Sequence, residues 1–147
     1  MSSNSKDMNY SSDNLIQSNL VPDKFRPHFW QQQFGQIAQW MTLETLTFSW
    51  MSRLCKQYNG GIWCFYTLSN GGAYIAPDSN LSWSVYNKLN GSIAEMSSEA
   101  VGIAVCLMNW SHHACRTGSS AMSEHFYRLR EFALSHPESA AIMRIID

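Results

Sequence analysis

A chain of 147 residues holds one domain around one core. Its charged fraction of 14% is low, and its net charge of −1 argues against two functional classes. A duplex-DNA binder carries a basic surplus, and a DNA mimic needs a dense acidic surface of about one charge per 1.7 Å of helix axis.

In chain order, residues 1–21 are rich in Ser and Asn, and a disordered polar arm is expected there, with some order at Leu15, Ile16, Leu20 and Val21. The N-terminus has no apolar leader core, and no apolar run approaches a membrane span. The four cysteines are widely spaced. A cytoplasmic protein with reduced thiols is therefore the expectation. The folded domain is expected over 22–147. Phe25, Phe29, Trp30 and Phe34 fit a short helix that starts at Pro22 or afresh at Pro27. Helical spacing of Ile37, Trp40, Met41, Phe48, Met51, Leu54, Cys55 and Tyr58 predicts one long helix over 36–58, stopped by Asn59-Gly60.

Residues 59–77, N-G-G-I-W-C-F-Y-T-L-S-N-G-G-A-Y-I-A-P, read as a β-hairpin. Asn70-Gly71 at the tip predicts a two-residue type I′ turn. That register sets Tyr66 opposite Ile75 and Cys64 opposite Pro77. One face then holds Cys64, Tyr66, Leu68, Ala73 and Ile75, and the other Trp63, Phe65, Thr67, Tyr74 and Ala76. Neither face is polar, so both must be covered or one left for a partner. Leu81, Trp83 and Val85 alternate with Ser82, Ser84 and Tyr86 as a third strand, and Ile93 to Met96 are a short extension or a loop.

Ser97-Ser98-Glu99 opens a helix that is apolar nearly all round from Ala100 to Trp110, which belongs in the middle of the fold. It stops at Gly118. Ser119 or Ser120 caps the next helix, which buries Met122, Phe126, Leu129, Phe132 and Ala133, and Pro137 starts a last short one. The fold class is α+β, a single domain with a three-stranded antiparallel sheet and about four to five helices packed on it.

Chemistry-bearing clusters are sparse. His112 and Cys115 are spaced to share a metal on a helix, but no second ligand pair matches them; a His near a helix C-terminus is the plainer reading. Cys64 paired with His112 or His28 has no supporting motif and sits mid-strand. Gly71-Gly72 joins strand to strand and lacks the Lys-Ser/Thr of a phosphate loop. Trp63, Phe65, Tyr66 and Tyr74 offer base-stacking rings, yet the hairpin has no Lys or Arg. Core packing or a protein interface accounts for them better. No metal or cofactor is expected.

The pattern N-G-G-x-W-x-F-Y-x-L-S-N-G-G-x-Y-x-A-P resembles the signature of the ArdB/KlcA-type antirestriction proteins of plasmids and genomic islands. The resemblance continues through Asn90-Gly91, Met96-Ser97, Ala100-x-Gly102-Ile103, His136-Pro137-Glu138 and Ile146-Asp147. It implies an α+β domain of a bacterial cytoplasmic protein, carried on mobile DNA, that relieves type I restriction of incoming plasmid or phage DNA. It implies no DNA mimicry and supplies no catalytic residue to carry over, and with this charge balance no strong DNA binding is expected. The expected partner is the type I restriction–modification enzyme or its DNA-handling complex, met through protein contacts that block cleavage while modification continues. The hairpin's exposed side and ends, Asn59, Trp63, Tyr66, Asn70 and Tyr74, are the expected contact surface. A thiol-dependent enzyme acting on a restriction component and a nucleic-acid-binding module are the alternatives.

Overall fold

The computed structural model describes residues 15–147. Its elements are strand β1 (Ser18–Leu20), a 3-10 segment Asp23–His28, helix α1 (Phe29–Phe34), a 3-10 segment Trp40–Thr42 and helix α2 (Leu43–Leu54). Strands β2 (Trp63–Leu68), β3 (Ala73–Pro77), β4 (Ser82–Asn87) and β5 (Ser92–Ser97) follow. Helices α3 (Ser98–Thr117), α4 (Ser120–Leu134) and α5 (Ser139–Ile146) complete the fold. The architecture is α+β, and all strand pairs are antiparallel. The strands divide differently from the expected meander: β1-β2-β3 form one sheet, and β4-β5 form a separate hairpin.

Helix α3 explains that division. Every residue from Ala100 to Trp110 is buried. The Ser97 hydroxyl caps the helix by accepting from Ala100 N at 3.2 Å, and Gly118 ends it in the left-handed region at φ 65°. Gly102, Cys106 and Trp110, four apart, lie on one stripe that seals the open edge of β3. Trp110 Nε1 donates to Ala73 O at 3.3 Å, and the Cys106 thiol sits 3.4 Å from Ile75 N and 3.5 Å from Ile75 O. A Cβ on Gly102 would lie 2.4 Å from Ala76 Cβ. The edge that a meander would give to β4 is thus taken by a helix, which leaves no strand template exposed there.

The other free edge, that of β2, is taken by β1, with Ser18 opposite Leu68 and Leu20 opposite Tyr66. Residues 1–14 of the expected arm lie outside the described residues.

The β2–β3 register differs by one residue from the type I′ expectation. Trp63 faces Pro77, Phe65 faces Ile75, Tyr66 faces Tyr74, and Leu68 N donates to Gly72 O at 2.8 Å. Ser69, Asn70 and Gly71 make a three-residue loop in which Gly71 has φ 91° and Asn70 has no positive φ. The extra loop residue turns every β3 side chain over. Tyr74 and Ala76 now share a face with Cys64, Tyr66 and Leu68, while Ala73 and Ile75 join Trp63, Phe65 and Thr67. The Trp63–Phe65 face is covered by α1 and α2, with Phe29 at 4.8 Å from Phe65 and Phe48 at 5.2 Å from Trp63.

The long helix over 36–58 is also corrected. Gln39 adopts φ 62°, and regular α-helix begins only at Leu43. Tertiary hydrogen bonds hold this break. The His113 ring bonds to Ala38 O at 2.8 Å, and Asn109 Nδ2 donates to Leu43 O at 3.0 Å. Helix α2 buries Leu43, Thr47, Trp50, Met51 and Leu54. Among the described residues no helix is long and apolar enough to cross a membrane.

Candidate functional site

On the α4 side of the β2–β3 hairpin, side chains from five elements converge. Tyr66 and Tyr74, cross-strand neighbours, stack with centroids 4.8 Å apart and planes 14° from parallel. Phe132 of α4 also stacks on Tyr74, at 6.0 Å, and His136, just after α4, meets Phe132 edge-on at 6.1 Å. The Tyr74 hydroxyl and Ser18 Oγ are hydrogen bonded at 3.0 Å, which ties β1 to the cluster. Glu99, in the first turn of α3, accepts from His136 Nε2 at 2.6 Å.

The hydrogen bonds decide what this cluster can do. His136 Nδ1 accepts the Glu138 amide at 3.0 Å, so the proton is assigned to Nε2, where it is donated to Glu99. Both ring nitrogens are occupied, and the imidazole has no lone pair to offer a substrate. The Glu138 carboxylate in turn accepts from Ser97 N at 2.9 Å and Ser97 Oγ at 2.5 Å. His136-Pro137-Glu138 therefore clamps the start of α3 to the α4–α5 turn. The His136 hydrogen bond holds the Glu99 carboxyl below its ordinary range against the opposing effect of burial. Burial pushes Tyr66 up to about 12 and Tyr74 higher still, so both stay phenols.

Three of the thiols are not activated nucleophiles. Burial raises Cys55 and Cys106 to about 12, and burial followed by the nearby Asp78 carboxylate raises Cys64. Among the described residues no three His, Cys, Asp or Glu side chains are placed to hold a metal ion. His112 and Cys115 are exposed, and His112 packs on Trp50 at 4.7 Å. His113 points inward to Ala38 and Arg116.

The five hairpin residues read from the sequence fall into four places. Tyr66, half-buried, and Tyr74, fully buried, meet in the cluster. Trp63 is buried on the opposite face and donates to the Tyr58 hydroxyl at 3.3 Å. Asn59 is exposed at the open end, beside Gly60 and Gly61, and Asn70 is half-buried at the tip. Glu99 and Phe132 were missed by sequence reasoning, which had no local pattern joining positions so far apart. His136 and Glu138 were visible only as a motif without a role.

Comparison with known proteins gives the chain its family. A family model described as "Antirestriction protein" matches residues 56–147. An antirestriction protein KlcA of Escherichia coli is 36% identical over 93% of this chain and 99% of its own length. The chain belongs to the antirestriction protein family. Escherichia coli K12 holds a more similar relative, the uncharacterised protein YfjX, 61% identical over 86% of this chain and 85% of its own. A solved structure of the KlcA and ArdB proteins matches with TM-score 0.82 and 37% identity, over 90% of this chain and 95% of that one. Those proteins are described as showing a novel fold and antirestriction activity against type I DNA restriction systems in vivo but not in vitro. The antirestriction span 56–147 contains Tyr66, Tyr74, Glu99 and His136, whereas Ser18 and the β1 strand lie outside it.

Proposed function

We propose that this protein relieves type I restriction of incoming DNA through protein contacts rather than by imitating DNA, leaves modification intact, and carries out no covalent chemistry. The observation that carries the reading is the full-length likeness to KlcA and to the KlcA and ArdB structure. Activity of those proteins in vivo but not in vitro fits an action that needs a further cellular component.

Charge placement supports the non-mimic part. Carboxylates are committed within the fold: Glu99 to His136, Glu124 to Arg128, Glu138 to Ser97, Glu95 to Ser82 and Ser84, and Glu44 to the Trp30 indole. A phosphate-backbone imitation needs such groups unpaired and in regular array. The raised thiols and the fully bonded His136 speak against catalysis. Asn59, Tyr66 and Asn70 keep solvent access and are assigned to the contact surface, with Glu99 beside Tyr66's partner Tyr74; Trp63 and Tyr74 support it from inside.

Cleavage of unmodified DNA by a purified type I enzyme, with and without an excess of this protein, tests the reading. Undiminished cleavage and no DNA displacement are expected. Stoichiometric inhibition competed away by added DNA would overturn the non-mimic mechanism.

A further inference from the structure

A groove of about 360 Å³ separates the end of α2 from the outward face of the β4–β5 hairpin. It continues into a hollow of about 220 Å³ that shares Arg53, Leu54 and Lys88. The walls are apolar. Tyr86 and Ile93, cross-strand partners on that outward face, are 42% and 64% exposed, and neighbouring Leu89 is 78% exposed. Arg53, Lys56 and Lys88 rim it, and no carboxylate lines it. These are three of the ten Lys and Arg in a chain of net charge −1, so positive charge is gathered here. Arg53 is held in place over the Trp50 ring at 4.7 Å. The hairpin's one carboxylate, Glu95, is taken by the Ser82 and Ser84 hydroxyls.

The backbone adds a direction. On the edge of β4 away from β5, Gln57 acts as a short substitute strand. Its Oε1 accepts from Ser84 N at 2.9 Å and its Nε2 donates to Ser82 O at 3.4 Å. Backbone groups two residues apart point to the same side, so Tyr86 N–H and C=O face the groove one step past Gln57. An open edge flanked by apolar walls is the geometry that accepts an added strand.

We propose that this groove receives an extended acidic segment of a partner protein. Its carboxylates meet Arg53, Lys56 and Lys88, its large apolar side chains pack on Tyr86 and Ile93, and its backbone pairs with β4 at Tyr86. The proposal rests on the reading that restriction is relieved through protein contacts. Nucleic acid fits less well, because a single-strand platform needs successive stacking rings along a basic track, and this groove offers one exposed ring between aliphatic walls.

A fluorescently labelled peptide of Asp and Glu alternating with Leu and Phe, titrated at low salt onto the full-length protein, tests the groove directly. Saturable binding is expected, weakened on the order of tenfold by the double variant Lys56→Glu/Lys88→Glu and by added salt. Tyr86→Ser weakens it without changing charge. These positions are exposed, so both variants keep the parent melting temperature. Absence of binding at low salt, unchanged binding in both variants, or tighter binding of a DNA oligonucleotide at the same residues would overturn the proposal. In cells the folded groove variants are expected to lose restriction relief, and full relief by them would overturn it equally. A wild type that gives no relief would instead defeat the functional reading, while the titration still decides the groove.

Discussion

Asn70 Nδ2 donates to the Arg128 carbonyl oxygen at 3.0 Å and so ties the hairpin tip to the middle of α4. The same amide's Oδ1 accepts from Gly72 N at 3.0 Å and closes the loop. Asn70 is thus a bracket between two elements, and its loss separates structure from function.

Asn70→Ala removes both hydrogen bonds and is expected to lower stability by about 1–2 kcal/mol. Asn70→Asp keeps the Gly72 acceptor but sets a carboxylate oxygen against the Arg128 carbonyl oxygen, so it is expected to cost at least as much. Urea denaturation of the two variants checks the order. If Asn70→Ala is folded at growth temperature yet fails to relieve restriction, the tip itself touches the target.

Gly102→Ala tests the seal between α3 and β3. On an exposed helix the change would stabilise by about 1 kcal/mol. Here the new Cβ meets Ala76 Cβ at 2.4 Å and Ile75 O at 2.6 Å, both fixed in the sheet. Overpacking wins, with an expected loss of about 1–3 kcal/mol. A rise in melting temperature would contradict the close approach.

Thiol labelling separates the four cysteines. Cys115 is exposed and reacts first in the native protein. Cys55 and Cys106, raised to about 12, hold a thiolate fraction on the order of one in ten thousand at pH 8 and react only on unfolding. Because relief is proposed to rest on protein contacts and not on a thiol, a folded variant with all four replaced by Ser or Ala is expected to retain it. Loss of relief with native stability would revive a thiol-dependent mechanism.

Acid is expected to destabilise the fold in two stages of one sign. His113 and His125 are neutral in the core, held below the usual 6.5 first by burial. His125 Nε2 bonds to Gln33 O at 2.8 Å, and its Nδ1 has no partner, so a second proton would be stranded. As pH falls below about 6.5 the unfolded chain binds these protons and the folded one does not, so stability drops. Glu99 continues the trend: its folded value is depressed, its contribution is in place above the ordinary carboxylate range, and it is lost as pH falls through the folded value. Melting temperature should fall steadily between about pH 7 and 5. His125→Gln, whose amide can still reach Gln33, should flatten the upper part of that fall. Constant or rising stability over this range would contradict the buried-neutral assignment.

What the sequence shows plainly here is local. The apolar girth of α3, its Ser97 cap and Gly118 stop are written in consecutive residues and are found in place. The hairpin is equally legible, but its register turns on one loop residue, and Asn-Gly serves both a two-residue turn and the three-residue loop that forms. Strand alternation at Leu81 to Tyr86 marks a strand without naming its partner, and the edge it would have used is filled by Cys106 and Trp110 from α3. The break at Gln39 is invisible to periodicity because the groups that hold it, His113 and Asn109, lie far along the chain. Within the site, Tyr66 and Tyr74 are legible as motif residues, but the expected register sets them on opposite faces, and only the one-residue change of register brings them together; the Glu99–His136 bond joins the first turn of α3 to the α4–α5 turn and has no local signature.

The central claim is relief of type I restriction without loss of modification, and plating efficiency tests it most directly. Unmodified phage is plated on cells with a type I system, with and without this protein, and methylation of the host DNA is scored in the same cells. The account predicts a rise in plating efficiency with methylation retained. Unchanged restriction across several type I systems despite folded protein in the cells, or relief accompanied by loss of methylation, would contradict it.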